Sequence, residues 1–543
     1  MRAMNMKTLI GTLRGAAVTF ASLVTVAAQA AAPGITGTGS PSSRSFDLTA
    51  APGYITQPDG SSVYSWGYGC NTAPGGFLPA TITGSCPNGV MQLPGPTLIV
   101  NQGDTVNVTL HNNLPRAAGN TSMLFPGFTA TTTVGDPGVA GLLTQEAAHG
   151  GTVTYTFTAT TAGTRSYYSG TQGDLQVEMG LYGAIIVLPT SGNAVPTGYT
   201  TPAGQPATCH AAGATLPNGD PDFRLAAAAY NHPSACYDRE YLFQFSEMDP
   251  RIHRQAEEQA MLPCTLPTGC MTVATEPYVP AYFMVNGRSM PDLMDPNYAV
   301  QYPHQPYNGN PHMHPGELVL LRVIGTGRWQ HPFHEHGNHV RVLARDGNLL
   351  LTPSSNKLAG PLLFTTTTTP GMTLDGIFQW TGKGLNWDVY GHHPADPARG
   401  LAAVDPGCIP DANGYYTTGS GAAPTAPNYY EWCADHNKPL EKAPFGNVGS
   451  GGPITLPDAN IMANGPWYGG SPYLGFEATQ RAVGSTPIPP SGTVANSPTE
   501  EAGFAFMWHS HNEREITTNN AFPGGMLMMM LVDPWAYPII EAN

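Results

Sequence analysis

Short runs of apolar residues separated by glycine, proline and asparagine constrain the fold of this chain most strongly. Residues 106–110 and 153–157 alternate between apolar and polar side chains, as half-buried β-strands do. Residues 98–100 and 184–187 are wholly apolar, which suits strands buried on both faces. The 64 glycines and 53 prolines favour turns over long helices. The pattern predicts an all-β protein built from β-sandwiches.

The strand pattern is interrupted and then resumes, which predicts two sandwich domains. A chain of 543 residues is too long for one hydrophobic core. We assign residues 46–190 to a first domain, 191–237 to a linker, and 238–390 with 501–535 to a second domain. The irregular tract 391–500 is rich in proline, glycine and asparagine and is predicted to be an insertion. Residues 249–259 form the one helix candidate.

The N-terminus has the pattern of a secretory leader. Arg2, Lys7 and Arg14 precede or flank an apolar run at 16–28, which ends in Ala28-Gln29-Ala30. We expect residues 1–30 to be a signal peptide and the mature chain to be exported to a periplasmic or extracellular space. No later segment approaches the length of a membrane span.

Eight cysteines, all after the leader, suit an oxidising compartment. Their spacing suggests four local disulfides, although eight cysteines allow many other pairings. The suggested pairs are Cys70–Cys86, Cys209–Cys236, Cys264–Cys270 and Cys408–Cys433. The formal charge of −15 and the absence of a basic run argue against nucleic-acid binding.

Two histidine clusters carry the chemistry of the sequence. Residues 331–339 read HPFHEHGNH, and Trp508-His509-Ser510-His511 lies far downstream. Residues two apart on a strand share a face, so His334 should point the same way as His336, and His509 the same way as His511. Two such pairs on neighbouring strands would surround one Cu(II) or zinc ion, with His331 or His339 as a fifth ligand. The alternative is a set of histidines hydrogen-bonded in a core without metal.

Other polar and sulfur-containing residues are weaker candidates. His304, His312, His314, His392 and His393 are interpreted as parts of polar loops, with metal capture as the alternative. Met526 and the methionines at 528–530 are expected in the core, although thioethers also bind Cu(I). Glu335 is either an acceptor or a proton carrier next to the ligand histidines, or a solvated or ion-paired side chain. His111 and His149 are not convincing ligands.

Several motifs of the chain resemble those of multicopper oxidases. Gly95-Pro96-Thr97-Leu98 and Gly103-Asp104-Thr105-Val106 resemble segments of the first cupredoxin domain of that family. The HPFHEHG run beginning at His331 resembles a copper motif of the last domain, and Trp508-His509-Ser510-His511 resembles its H-C-H motif. The resemblance implies cupredoxin-like Greek-key sandwiches. It gives His331 the role of a type 1 copper ligand, His334 that of a type 2 ligand, and His336, His509 and His511 those of type 3 ligands.

The chain departs from the family pattern at the residues that oxygen reduction requires. Ser510 replaces the cysteine that binds type 1 copper and passes electrons onward, and Glu515 replaces a histidine ligand. The two histidine motifs of the first domain are replaced by residues 123–127 (MLFPG) and 167–170 (YYSG). We therefore do not expect laccase-type four-electron reduction of dioxygen.

The remaining ligands predict an exported copper-binding protein with a mononuclear site at His331, His334, His336, His509 and His511. Oxidoreductase activity at that site, with a small-molecule reductant, is one hypothesis. The alternatives are a cupredoxin scaffold without catalysis and a copper-tolerance or storage protein. The resemblance also makes a homo-oligomer such as a trimer an expectation, because two-domain members often assemble in that way.

Overall fold

We describe a computed structural model of the chain. It describes residues 31–135, 138–190, 192, 194, 210–216, 219–266, 268–314, 316–380, 470–473, 479–480, 494–495, 503–533 and 539–540. In its first half the strands are β1 (Gly34–Thr36), β2 (Ser43–Thr56), β3 (Ser62–Cys70), β4 (Gly76–Leu78), β5 (Leu98–Asn101), β6 (Thr105–Asn112), β7 (Thr131–Val134), β8 (Gly138–Ala140), β9 (Gln145–Ala147), β10 (Thr152–Thr158), β11 (Gly163–Tyr168) and β12 (Tyr182–Leu188).

The later strands begin at residue 239. They are β13 (Arg239–Met248), β14 (Tyr282–Val285), β15 (His312–Met313), β16 (Leu318–Gly325), β17 (His331–Glu335), β18 (Val340–Arg345), β19 (Asn348–Leu349), β20 (Leu362–Leu363), β21 (Thr365–Thr368), β22 (Thr373–Gln379), β23 (Gly470–Tyr473), β24 (Thr479–Gln480), β25 (Val494–Ala495), β26 (Gly503–Ser510) and β27 (Leu527–Val532). Helices are few: α1 (Gly173–Gln176), α2 (Pro250–Gln259) and 3-10 turns at Arg116–Ala118 and Asp292–Met294.

The first sandwich consists of two five-stranded sheets. Their strand orders are β11-β12-β5-β1-β4 and β3-β2-β6-β10-β7. Strands β6 and β10 bury alternate residues, as the sequence pattern predicted, whereas β12 is buried along its whole length. Side chains from both sheets, including Leu98, Val108 and Tyr167, share one hydrophobic core. The all-β prediction is confirmed.

The second sandwich has a seven-stranded and a six-stranded sheet. Their main orders are β14-β13-β16-β22-β18-β19 and β15-β27-β26-β17-β21, with β20 paired to β18 and β23 paired to β26. The core between them contains Phe243, Phe333 and Trp508. The last strands of the chain, β26 and β27, therefore lie inside the six-stranded sheet, next to strand β17 of the main histidine motif.

The two sandwiches pack against each other through a buried junction. Ile99 and Ile186 of the first sandwich share an apolar cluster with Leu242 and Ile324 of the second. Residues 225–229, which we predicted to belong to a linker, contribute buried alanines to this region. The segment acts as packed structure between the sandwiches and not as a loose tether.

Several local predictions can be compared directly with the structure. Helix α2 occupies the predicted helical segment, and the side chain of its N-cap residue Asp249 accepts a hydrogen bond from the Arg251 N–H. The disulfides Cys70–Cys86 and Cys264–Cys270 are present. Strand β1 pairs with β4 and β5, so the first sandwich begins before the predicted boundary at residue 46.

Some predictions lie outside the described residues. These are the leader 1–30, Cys209, the pair Cys408–Cys433, His392 and His393, and most of the insertion 391–500. Within the described residues, no helix is long and apolar enough to cross a lipid bilayer.

Candidate metal centre

Pairing of β17 with β26 brings the two histidine motifs together. His334 lies directly opposite His509 in this antiparallel ladder. The ladder contacts continue beyond the strand ends, where the His336 N–H donates to the Met507 carbonyl and the His511 N–H donates to the Pro332 carbonyl. Because side chains alternate along a strand, all four imidazoles emerge on one face of the sheet.

The four imidazole rings form a compact group, which we call the outer cluster. The ring centroid of His334 lies 4.7 Å from that of His336, 5.6 Å from that of His509 and 4.8 Å from that of His511. The rings of His336 and His509 are 5.1 Å apart, and those of His509 and His511 are 5.3 Å apart. The sequence-based prediction that each pair shares a face agrees with this geometry.

The nitrogen atoms of the outer cluster are spaced as ligands of one ion. One nitrogen from each of His334, His336 and His509 lies within 4.8 Å of the others. Nε2 of His336 and Nε2 of His509 are 3.2 Å apart. Two nitrogens about 2.0–2.1 Å from one metal are separated by roughly 2.9 Å in a square-planar site and roughly 3.3 Å in a tetrahedral one. The donor set therefore fits a Cu(II) or zinc ion.

Electrostatics hold the cluster in its neutral, metal-binding form. Burial, together with the nearby rings of His336, His511 and His509, lowers the pKa of His334 to about 3. Burial also lowers the pKa of His509. The Nδ1–H of His509 donates to the Ser510 carbonyl over 2.7 Å, which leaves Nε2 of the neutral ring as the bare nitrogen that faces His336.

Neighbouring groups orient the ligand side chains. Nδ1 of His334 lies 2.7 Å from the hydroxyl oxygen of Thr365 on β21. The indole N–H of Trp508 donates to the His336 carbonyl over 2.9 Å. Gly337 turns the chain away from the cluster at φ +104°, and a side chain there would meet the Phe506 ring at 3.0 Å. The site has a defined outer shell of the kind that tunes metal ligands.

The outer cluster is open to solvent on one side. His334 and His509 are buried, whereas the His511 side chain is 52% exposed and lies beside Glu513. Phe364, whose ring centroid is 5.7 Å from that of His334, is also exposed. A small molecule can therefore reach the cluster from the side of His511.

His331, expected among the metal ligands, lies elsewhere. It is three residues from His334, so it faces the inside of the sandwich and packs near the Phe245 ring. Its Nδ1 is 2.8 Å from a Glu515 oxygen and its Nε2 is 2.9 Å from a Glu247 oxygen. Among the described histidine, cysteine and acidic residues, the group that could hold a metal ion does not include it. The expectation that His331 shares an ion with His334 is corrected by this geometry.

The weaker candidates have structural partners in the described part of the chain. They are His111 with Asp47, His149 with the Leu114 carbonyl, His304 with the Met91 carbonyl, His312 with Asp533, and His314 with Asp220. His339 contacts the Phe364 ring outside the outer cluster. Met526, Met528 and Met530 are buried in the core, as expected.

Glu335 is not a solvated side chain. It is fully buried, and the Thr366 hydroxyl donates to its Oε1 over 2.6 Å. Burial raises its pKa to about 8. At neutral pH the carboxyl group is therefore largely protonated.

The replaced motifs of the first sandwich lie side by side. The backbones of Leu124 and Tyr168 bond to each other, and the hydroxyl groups of Ser122 and Thr171 are 2.8 Å apart. Met123 and Phe125 are buried in the apolar core. The two segments meet, but they bring together apolar and hydroxyl groups in place of imidazoles.

Comparison with known proteins relates one segment of the chain to a known family. The sequence model of the multicopper oxidase family matches residues 86–192. A stretch of 95 residues is 36% identical to multicopper oxidase CTB12 of Cercospora beticola, and one of 97 residues is 37% identical to laccase-3 of Botryotinia fuckeliana. Residues 86–192 are therefore similar to a segment of multicopper oxidases. The matched stretches span only 14% and 20% of these two relatives and 18% and 17% of this chain.

Solved structures of multicopper oxidases are similar over most of the chain. The multicopper oxidase mgLAC is 15% identical with a TM-score of 0.43, covering 90% of this chain and 86% of that one. The blue copper oxidase of Nitrosomonas europaea is 14% identical with a TM-score of 0.42, covering 90% and 85%.

The family model that matches residues 86–192 describes copper enzymes, which makes copper the metal to consider at the outer cluster. The four imidazoles of the outer cluster are a suitable donor set for Cu(II). The inner site at His331, in contrast, offers no thiolate, because Ser510 occupies the cysteine position.

Sequence reasoning missed Glu247 and Thr365, which contact His331 and His334. Glu247 was detectable in principle, because it follows the mainly apolar stretch 241–245 of a buried strand and a buried carboxylate needs a partner. Thr365 lies in a run of five threonines, and nothing in that run distinguishes it.

Proposed function

We propose that this chain is an exported copper-binding protein of the multicopper oxidase superfamily with one mononuclear metal centre. His334, His336 and His509 would hold the ion, and His511 would complete the set from the solvent side. The observation that carries the proposal is the 3.2 Å separation of Nε2 of His336 and Nε2 of His509 within a group of four rings. Zinc is the alternative metal for the same ligands.

A bound copper ion supplies one-electron redox chemistry. The residues of the chain bind it through neutral imidazoles, orient those rings through Thr365 and Trp508, and exclude water on the buried side. The exposed edge at His511 and Phe364 gives a small-molecule reductant a route to within contact of the ligands. Without the first-sandwich histidines there is no second half to a trinuclear cluster, so the proposed activity does not include four-electron reduction of dioxygen.

The test is metal binding by the purified full chain after removal of bound metal. We expect one tightly bound Cu(II) per chain and a nitrogen-rich paramagnetic resonance spectrum without a strong blue absorption band. His334→Ala/His509→Ala should lower the affinity by more than the roughly 10- to 100-fold effect of outer-shell changes.

His149→Ala is the matched control, because its ring is bonded to the Leu114 carbonyl in the first sandwich. Equal binding by the control and the double variant would reject the site. A chain that binds neither copper nor zinc would instead be a scaffold without metal. Rapid oxidation of phenols would contradict the proposal, because it would show laccase-type activity without the histidine motifs of the first sandwich.

Export and assembly complete the proposal. The leader-like residues 1–30 and the disulfides support a periplasmic or extracellular location. A homo-oligomer such as a trimer is proposed on the resemblance alone. Fractionation of cells that express the full chain, and the mass of the purified protein in solution, test these two points.

A further inference from the structure

His331 joins the two sheets of the second sandwich through its ring. It lies on β17 of the six-stranded sheet, and its Nε2 contacts Glu247 on β13 of the seven-stranded sheet at 2.9 Å. Its Nδ1 contacts Glu515, in the segment that follows β26, at 2.8 Å. His331 and Glu515 are fully buried, and Glu247 is 2% exposed. We call these three residues the inner bridge.

Hydrogen bonding determines where the protons of the inner bridge lie. One oxygen of Glu515 accepts from His331 and from the Ser510 hydroxyl, and the other accepts from the Asn512 amide over 2.9 Å. The Oε1 of Glu247 accepts two backbone N–H groups, at 2.6 and 2.8 Å. Because a carboxylate oxygen faces each ring nitrogen of His331 at hydrogen-bond distance, both nitrogens act as donors, and the ring is a cation.

Glu247 has further polar and charged neighbours. Glu247 is also 3.3 Å from the Tyr278 hydroxyl, which bonds to Glu178, and the Arg328 guanidinium lies 4.1 Å from the centre of the Tyr278 ring. The cationic His331 therefore lies between two anions, and the guanidinium of Arg328 is a further cation beyond Glu247. Both partners of a buried ion pair are satisfied by hydrogen bonds, as such a pair requires.

This arrangement cannot hold a metal ion in the way the outer cluster can. The two glutamates contact opposite nitrogens of one ring, so they cannot converge with that ring on one ion. Ser510, which occupies the position of the family's copper-binding cysteine, directs its hydroxyl to Glu515. The residues here do not fit a type 1 copper, whose character depends on a thiolate.

We propose that the position equivalent to type 1 copper is a metal-free cross-link in this chain, made by the cationic ring of His331 between Glu247 and Glu515. The bridge connects β17 with β13 and with the segment that follows β26, and it does so through charge and hydrogen bonds. In the described part of the second sandwich, the outer face of the β17–β26 ladder then offers a metal site and the inner face does not. This inference stands whether or not the outer cluster binds copper.

The first test observes the ring directly in the full chain with ¹⁵N-labelled histidine. At neutral pH both ring nitrogens of His331, assigned with a His331→Gln variant, should be protonated. Zinc ion, added as a diamagnetic probe at up to three equivalents, should leave them unchanged. A neutral ring with a bare nitrogen, or a zinc-dependent shift at His331, would overturn the proposal. Shifts confined to the outer cluster, or no shift anywhere, support the inner bridge, and the proposed function is tested separately by copper binding.

The second test introduces a cysteine thiolate at position 510, where this chain has a serine. Ser510→Cys with added Cu(II) should give no strong blue band, because both ring nitrogens of His331 remain bonded to carboxylates; Ser510→Ala is the control. The copper affinity of His331→Gln should stay within about threefold of the wild-type value. Changes near a metal ligand lower affinity by roughly tenfold or more, so a larger loss than that would make His331 part of the metal site. A strong blue band in Ser510→Cys would also refute the inner bridge.

Discussion

The two faces of the β17–β26 ladder use the same residue type in opposite ways. On the outer face, four neutral imidazoles turn towards one another, and burial and mutual repulsion lower the pKa of His334 to about 3. On the inner face, His331 lies between two carboxylates, which outweigh the effect of burial and raise its pKa to about 9. Neighbouring charge, and not the histidine itself, decides whether a ring is a ligand or a cation.

The largest expected effect comes from removing the inner cation. His331→Ala leaves two buried carboxylates without their partner, and breaking such a pair costs about 3–5 kcal/mol. Urea unfolding at neutral pH measures this loss. His339→Ala, half-buried and outside both groups, is the control and should change the free energy of unfolding by less than about 1 kcal/mol. Similar values for the two variants would mean that the inner bridge contributes little.

Alkaline pH should weaken the inner bridge without changing the sequence. Because the folded-state pKa of His331 is about 9, above its unfolded value, its stabilising contribution is fully present below about pH 6.5 and is lost as pH rises through 9. The loss amounts to roughly 3 kcal/mol. Burial also raises the pKa of Glu178 to about 8. The measurement is therefore the difference in unfolding free energy between wild type and His331→Gln, which should shrink from pH 7 to pH 10. A constant difference would contradict the prediction.

A smaller effect on copper affinity is expected from Thr365, which contacts a ligand ring of the outer cluster. Thr365→Val removes the hydroxyl 2.7 Å from Nδ1 of His334, and such changes lower metal affinity by roughly 10- to 100-fold. Thr367→Val, on the exposed side of the same strand, is the control. Competition against a chelator of known affinity measures both. If both variants bind copper like the wild type, Thr365 does not orient the ligand.

The smallest effect concerns the exposed pair at the mouth of the outer cluster. Nδ1 of His511 lies 3.4 Å from Glu513, and both side chains are more than half exposed. Glu513→Gln should change the free energy of unfolding by less than about 0.5 kcal/mol and copper affinity by less than about threefold. A larger change in affinity would place Glu513 among the groups that hold the ion.

The outer cluster was more predictable than the inner bridge for a physical reason. The two-residue spacing of His334 with His336, and of His509 with His511, determines a shared face as soon as both segments are strands. The same rule places His331 on the opposite face, because it is an odd number of residues from His334. The local sequence pattern was sufficient to predict strands β6 and β10 and helix α2. Glu247 is 84 residues from His331 along the chain, and only the packing of two sheets brings them together.

The order of strands in the six-stranded sheet has a consequence for biosynthesis. Strand β27 lies between β15 and β26, and β26 lies between β27 and β17, yet both are translated after the other strands of this sheet. Until β26 and β27 have been translated, β15 has no partner strand in this sheet and β17 has one unpaired edge. A nascent chain can fold its first sandwich early, but the outer cluster is incomplete until His509 and His511 have been translated. If the outer cluster takes up a metal ion, it can do so with all four imidazoles only after β26 has paired with β17.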